Sequence, residues 1–467
     1  MSTVIWWVRR DLRLSDNQAL STALREADVL IPLFILDLYL LSSPYIGSRR
    51  LAFLYDALRS LNYELRSRGS ALIVRRGEPL EVLRQMVNEL RVQLIVAEAD
   101  VSPYARRRDA RVRRELPLTL VPGVTVHPPE NMVKPSGAAY SVYTPFSRMW
   151  HSLGFPGSPL PAPDSFPPLP VIPTQGLPSS FGPSTENLFP ASEVEAQRRL
   201  KAFIDLRLGD YAKNRDCLDL EGTSGLSPYL RFGMLSARSA DCAVREAQAQ
   251  ASGEGALQGP SAWQNELIWR EFYAAVLYHF PFVRKKAFRK EMRAIQWLED
   301  APGFAAWAEG STGYPVVDAA MRQMQATGWM HNRARMIAAS FLTKDLLINW
   351  RKGERFFMQH LIDGDPAANN GGWQWAAGTG TDAAPYFRVL NPVMQGKKFD
   401  PHGAYVRRWV PELTAVPDEF IHDPWKMPAQ LQARVNCRIG KDYPAPIVDH
   451  AMARQRALEV YRRGAKR

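Results

Sequence analysis

The feature that most restricts the fold of this chain is a change of hydrophobic rhythm across a proline-dense divide. Up to about Val126, short β-branched runs alternate with helical patterns. Val4–Val8, Val29–Leu36, Ala71–Val74 and Leu94–Ala97 read as buried parallel strands. Arg49–Arg68 and Pro79–Leu90 read as helices, with Gly69 and Gly77 as stops. Alternation at this spacing predicts a doubly wound, Rossmann-like parallel α/β domain over residues 1–130. From about Phe155 to Pro190 proline and serine are too dense for helix or sheet, so this stretch reads as an extended connector draped over the surface. The whole connector is expected over 131–192. Beyond Glu193 the pattern is helical throughout, with Ala262–Phe280, Pro315–Ala326, His331–Asn349 and Gly353–Leu361 the clearest stretches. An all-α domain over 193–467 follows.

The charge balance narrows the partners. Lys and Arg number 59 against 47 acidic residues, a formal charge of +12 with a pI near 9.6. Such an excess suits a polyanion, although a merely basic enzyme carries it too. The longest apolar run, Val29 to Leu36, is strand-length and contains Pro32, so no bilayer span is expected. The start of the chain lacks a basic, cleavable leader. Cys217, Cys242 and Cys437 are scattered and odd in number, which indicates neither a disulfide framework nor zinc, and a reducing cytoplasm is the expected compartment.

Four stretches carry chemistry. Asp363 to Asp382 combines Gly364, Asp365, Asn369, Trp373 and Trp375. Its glycines admit a ligand close to the backbone, and its amides, carboxylates and indoles offer hydrogen bonds and stacking faces. A Gly/Asn-rich turn with packing tryptophans is the competing reading. Trp263 to Tyr273 sets Glu266, Trp269 and Tyr273 on one helical face, where an amphipathic core helix competes. Gly328 to Met336 brings Asn332, Arg335 and Met336 to neighbouring helical positions, while His331 lacks the companions of a metal ligand or general base. Thr223, Ser224, Gly225, Leu226 and Ser227 form a hydroxyl-rich loop before Pro228, readable as a phosphate cradle or a plain helix cap. Arg106–Arg108 and Arg284–Lys290 read as solvated faces, the second interleaved with Phe282 and Phe288 as a nucleic-acid rim would be.

Together these stretches resemble the photolyase and cryptochrome family, closest to microbial class I cyclobutane-dimer photolyases. The likeness spans nearly the whole chain: Arg9-Arg-Asp-Leu-Arg-Leu-Ser-Asp-Asn17, Thr223–Ser227, Asn265–Phe272, Thr312-Gly-Tyr-Pro315 and Asp363–Asp382. The resemblance implies non-covalent FAD in the helical domain. Tyr211 and Thr223–Ser227 would hold the phosphates and Trp263 would line the flavin pocket. Asp363, Gly364 and Asp365 would meet flavin and ribose, Arg335 would pair with Asp363, and Asn369 would sit by flavin N5. Trp297, Trp350 and Trp373 match a chain that conducts electrons from the surface. Read without the resemblance, Trp297 and Trp350 are core residues.

The substrate assignments carry over in the same way. Trp269 and Trp375 would flank a flipped pyrimidine dimer, Glu266 and Asn332 would bond its polar edges, and Met336 would lie against it. Arg270 and Tyr273 are assigned to the same substrate face, and Arg215, Arg333 and Gln395 to DNA. Six-four photolyases place histidines at the positions of Asn332 and Met336, so their absence favours cyclobutane dimers. The implied activity is light-driven dimer repair in DNA by a monomer. A signalling cryptochrome and a DASH-type enzyme for single-stranded DNA are the alternatives. A second chromophore is expected at Arg9–Arg13, Asp37 and Asp100–Tyr104, at predicted strand ends. 8-Hydroxy-5-deazaflavin is preferred, because the glutamate of folate-using relatives is absent near Ala105. Methenyltetrahydrofolate, FMN, a second FAD or an empty pocket stay open.

Overall fold

The computed structural model describes residues 2–178, 188–385 and 387–465; part of the connector (179–187) and the last two residues lie outside them. The chain divides into two compact units. The first comprises residues 1–212, 224–281 and 362–367, and the second 213–223, 282–361 and 368–467.

The first unit is built on a five-stranded parallel sheet in the order β3-β2-β1-β4-β5, with β1 Thr3–Val8, β2 Val29–Asp37, β3 Ile73–Gly77, β4 Leu94–Glu98 and β5 Leu118–Val121. β1 is central, with Val4 in register with Leu30 on one side and Leu94 on the other. Being covered on both faces, it is apolar along its length, and Ile5, Trp6, Trp7 and Val8 are all buried. Strand order reverses at β1, which opens a crevice at the carboxyl ends of β1 and β4. The third strand begins two residues later than its apolar run suggests. Leu72 donates its N–H to Asn62 Oδ1 instead of to a ladder, and Gly77 is the last strand residue, not a stop before it. β5 escapes the sequence reading because it is a short edge strand with only Leu118 buried.

Where it is described, the connector lies against the sheet of the first unit. Gln175 N donates to Val74 O at 3.1 Å and Val74 N to Thr174 Oγ1 at 3.0 Å, which covers the free edge of β3. Leu169 and Ile172 pack on the sheet core. Also in this unit is the 22-residue helix Gln258–His279. Its Glu271 is buried, accepts from Trp150 Nε1 at 2.7 Å, and has its pKa pushed up to about 7 by burial.

The second unit is helical, with Pro315–Thr327, Asn332–Ser340, Trp350–His360 and His450–Ala465 around a core that includes Trp307, Phe341, Trp350 and Trp373. Two expectations are corrected here. His331–Asn349 is not one helix. The α-helix Asn332–Ser340 passes into a single π-turn, Phe341–Asp345, where Thr343 Oγ1 donates back to Ala339 O at 2.8 Å. Leu347 then takes a φ of +53° and ends it. Secondly, Asp363–Asp382 leaves only Asn369 and Trp375 of its amides and indoles partly exposed. Pro366–Ala377 is a helix, and Asn370, Trp373 and Gln374 are each 2% exposed. Asn370 and Gln374 donate to Val283 O.

Candidate active site

The predicted residues fall in both units, and each set has its own geometry. In the first unit, Asp365 is the hub. Its carboxylate accepts from Arg10 Nη2 at 2.8 Å and lies 3.8 Å from Arg231 Nε, while Oδ1 caps the helix at Ala367 N. Arg231 also donates to Gly364 O at 2.9 Å. Arg50 senses Arg231, Asp363 and Asp365. Burial, together with the neighbouring guanidinium, lowers its pKa to about 9, and that of Arg231 falls to about 10 for the same reasons. For both guanidiniums the cost of burial outweighs the attraction of the nearby carboxylates. A donor set of this kind suits a diphosphate, so the residues present fit a dinucleotide cofactor.

Sequence reasoning missed Arg10, Arg50 and Arg231 as partners of Asp363–Asp365. No local pattern pairs residues hundreds of positions apart. The loop before Pro228 keeps room for a ligand: Gly225 has a φ of +64°, and a Cβ there would meet only Arg199 Nη1, at 3.7 Å. Ser227 starts the short helix Ser227–Phe232 with Pro228 in its first turn. Tyr211 and Trp263 are both buried edge-on or tilted against Phe203, at 5.6 and 5.0 Å between centroids.

Trp269 is not in the polar surroundings its sequence neighbours suggest. It stacks on Tyr143 at 3.8 Å with an interplanar angle of 1°, meets Phe272 edge-on, and lies 5.6 Å from Tyr273. Arg270 departs from its assignment to the substrate face. It donates to Val124 O and Leu230 O and, with Arg10, Arg13 and Glu98, lines an internal cavity of about 10 Å³, room for one water. Burial holds Glu98 up at about 7 although Arg13 is 3.3 Å away. Arg9 pairs with Asp109, and Asp37 accepts from Tyr104, so the strand-end groups expected around a second chromophore bond one another. Arg108 is buried over Trp7, not solvated.

In the second unit, Asn332 opens its helix exposed, with Nδ2 4.0 Å from Met336 Sδ one turn on. His331 caps that helix by accepting from Arg333 N, and burial lowers its pKa to about 4, which keeps it a neutral cap. Arg333 reaches Asp216 at 2.7 Å and lies 4.4 Å above Phe399, which Lys398 also approaches, at 5.2 Å. Phe399 O accepts from Leu218 N. The segment holding Arg215 and Thr223 thus meets the helix Pro392–Phe399, which carries Gln395. Arg335 donates to Met330 O, and Asn369 to Glu354 O at 3.0 Å. Trp373 sits edge-on to Phe357 and Trp307, at 4.9 and 6.0 Å, and its buried Nε1 has no hydrogen-bond acceptor among the described residues. Trp350 is buried at the start of its helix, Trp375 is partly buried against the same core, and half-buried Trp297 is edge-on to Tyr461 at 6.1 Å.

Two family models match the chain: "DNA photolyase" over residues 4–164 and "FAD binding domain of DNA photolyase" over residues 263–463. The deoxyribodipyrimidine photo-lyase of Escherichia coli is 40% identical over 482 residues, covering 100% of each chain. Among solved structures, a bacterial class III photolyase from Agrobacterium tumefaciens superposes with a TM-score of 0.93 at 36% identity, covering 100% of this chain and 98% of that one. An archaeal photolyase from Sulfolobus tokodaii, solved with two FAD molecules, gives 0.81 at 32%, covering 98% and 99%.

Proposed function

The chain belongs to the DNA photolyase family and repairs cyclobutane pyrimidine dimers in light, and on that premise we propose how its own residues divide the work. FAD, when bound and reduced, supplies under near-ultraviolet or blue light the one electron that weakens the bonds of the cyclobutane ring. Everything else falls to positioning. Arg10, Arg50 and Arg231 hold the cofactor's diphosphate together with Tyr211 and the Thr223–Ser227 loop. Asp363, Gly364 and Asp365 meet its ribose and flavin side, and Trp263 lines the pocket. Asn369, fixed by its bond to Glu354 O, serves flavin N5.

Photolyases take the lesion out of the stack. A flipped dimer stacks on the face of Trp269 that Tyr143 leaves uncovered, with Trp375 opposite. Glu266 and Asn332 bond the imide edges and the Met336 thioether packs behind them. The Asn332–Met336 pair is the observation that carries the choice of lesion. It offers an amide and a soft apolar contact and no group that moves a proton, which suits a ring that opens by electron transfer alone. Arg333 and Lys398, over Phe399, follow the phosphates together with Arg215 and Gln395. Trp373, Trp350 and Trp297 would carry an electron inward to FAD that has become oxidised, with Trp297 the outermost of the three.

The reading also includes a second chromophore at the carboxyl edge of the sheet, 8-hydroxy-5-deazaflavin before folate, FMN or FAD. Such a ligand has to displace pairs such as Asp37–Tyr104, and absorption of the native protein beyond the flavin bands identifies it. A monomer in the reducing cytoplasm completes it, in keeping with three unpaired cysteines. Asn332→Ala tests the pocket. Affinity for a thymine-dimer oligonucleotide is expected to fall roughly tenfold, about the value of one buried hydrogen bond to a base edge, with undamaged DNA and flavin content unchanged. Equal losses for damaged and undamaged DNA would remove Asn332 from the pocket.

A further inference from the structure

The charge of the second unit is not confined to the surface around Phe399. A separate small core of Ala287, Met292, Ile295, Leu347 and Tyr461, with Trp297 packed against it, joins the 285–293 segment to the helix His450–Ala465. Both sides of that core turn cations to solvent. Lys285, Lys286, Lys290 and Arg293 are exposed on one side, and Arg462 and Arg463 on the other, together with the carboxylates of Glu291, Glu459 and Glu299, the last paired with Lys352. Glu459 lies 3.8 Å from Arg463. The two sides adjoin, since a Cβ on Gly464 would stand 3.3 Å from Ile295 and 3.8 Å from Glu291 O. Phe282, 39% exposed, stacks on Phe288 at 6.0 Å beneath the Arg293 guanidinium. Arg284 does not join this face, because it is tied to Glu354 at 3.1 Å. The sequence pattern reads as a nucleic-acid rim. What distinguishes the surface is the half-buried indole at its centre.

We propose that this basic, aromatic face around Trp297 is the docking surface for an acidic one-electron carrier that re-reduces Trp297. The inference rests on Trp297 being the outermost member of the tryptophan chain. Reduction of oxidised FAD through that chain would leave Trp297 one electron short. The carrier's centre gives up one electron and is oxidised by one, and the indole returns to its closed shell, recovering from water any proton it had released. Tyr461, edge-on to Trp297, does not take over as entry point. It is fully buried, and its phenol donates to Ala377 O, a carbonyl that cannot accept the proton an oxidised tyrosine must lose. Of this edge-on pair only Trp297 reaches solvent, and the cations around it attract and orient a negatively charged carrier.

The probe is a plant-type [2Fe–2S] ferredoxin, titrated against the flavin-loaded protein at low salt and compared with the triple variant Lys285→Glu/Lys290→Glu/Arg462→Glu. Ferredoxin affinity is expected to fall at least roughly tenfold in the variant and to weaken with salt in the parent. Affinity for dimer-containing DNA should stay within about twofold. In transient absorption, reduced ferredoxin should shorten the Trp297 radical's lifetime in the parent and much less in the variant. Unchanged ferredoxin binding overturns the proposal, and so does a matching loss of DNA affinity, which would assign the face to DNA. Trp297→Phe isolates the premise: if an identical radical signal survives in it, the tryptophan assignment fails, whatever the binding data show.

Discussion

Trp269 shows how far one residue's surroundings can depart from its sequence neighbours. Flanked by Ile268 and Arg270, it looks like an indole in need of a partner, and Tyr143, 126 positions earlier, already covers one face. Trp269→Ala should therefore cost dimer affinity roughly 1–3 kcal/mol, the usual value of one base–aromatic stack. Tyr143→Ala, which only loosens the indole, should cost less. If the two variants bind the lesion equally and melt equally early, the pair is packing and not a substrate wall. Lys344 makes a second case. It is buried, its Nζ 3.5 Å from the Tyr461 ring centroid and 3.3 Å from Ala377 O, and burial pushes its pKa down to about 7. The unfolded chain keeps the Lys344 proton up to about pH 10.5 while the folded one releases it near 7. Between those values the unfolded state holds more protons, and stability rises with pH. Lys344→Met is expected to be more stable at pH 7 by on the order of 2 kcal/mol, an advantage that shrinks towards pH 10. Denaturant melts at several pH values check it, and a pH-independent difference would mean that Lys344 is charged throughout.

Among the elements, the strands were the most legible, because a parallel strand buried on both faces writes its burial as an unbroken apolar run. β1, β2 and β4 lie within a residue of where their runs place them. β3 and β5 were not, since one starts on a side-chain bond to Asn62 and the other is a half-exposed edge. The helix Pro366–Ala377 was hidden by its glycines and asparagines, poor helix formers that are kept there by the packing of Trp373. That packing has a definite counterpart on the helix Trp350–His360. A Cβ on Gly353 would fall 2.1 Å from Trp373 Cη2 and 2.6 Å from Leu342 Cδ2. Gly353→Ala should destabilise by about 1–3 kcal/mol through overpacking, with a changed tryptophan fluorescence spectrum. Unaltered melting and emission would show that the two helices yield without displacing the indole.

For the whole molecule, the family likeness made the candidate residues legible, but the charges that hold them were not. Asp363 and Asp365 stand out in sequence. Their partners Arg10, Arg50 and Arg231 do not, since the chain brings them together only by folding back across several elements. The same holds for the exposed cations about Trp297: in sequence Arg284–Lys290 stands out as a basic run, but nothing there joins it to Arg462 and Arg463. Repair by this protein turns on an electron supplied under light. Its most direct test uses the pre-reduced, flavin-loaded protein and a thymine-dimer oligonucleotide, with one half of the sample under blue light and the other in the dark. The account predicts loss of the dimer and recovery of the intact thymines in the illuminated half alone, with no strand cut. Equal persistence of the dimer in light and dark, by protein that binds it and retains reduced flavin, would contradict it.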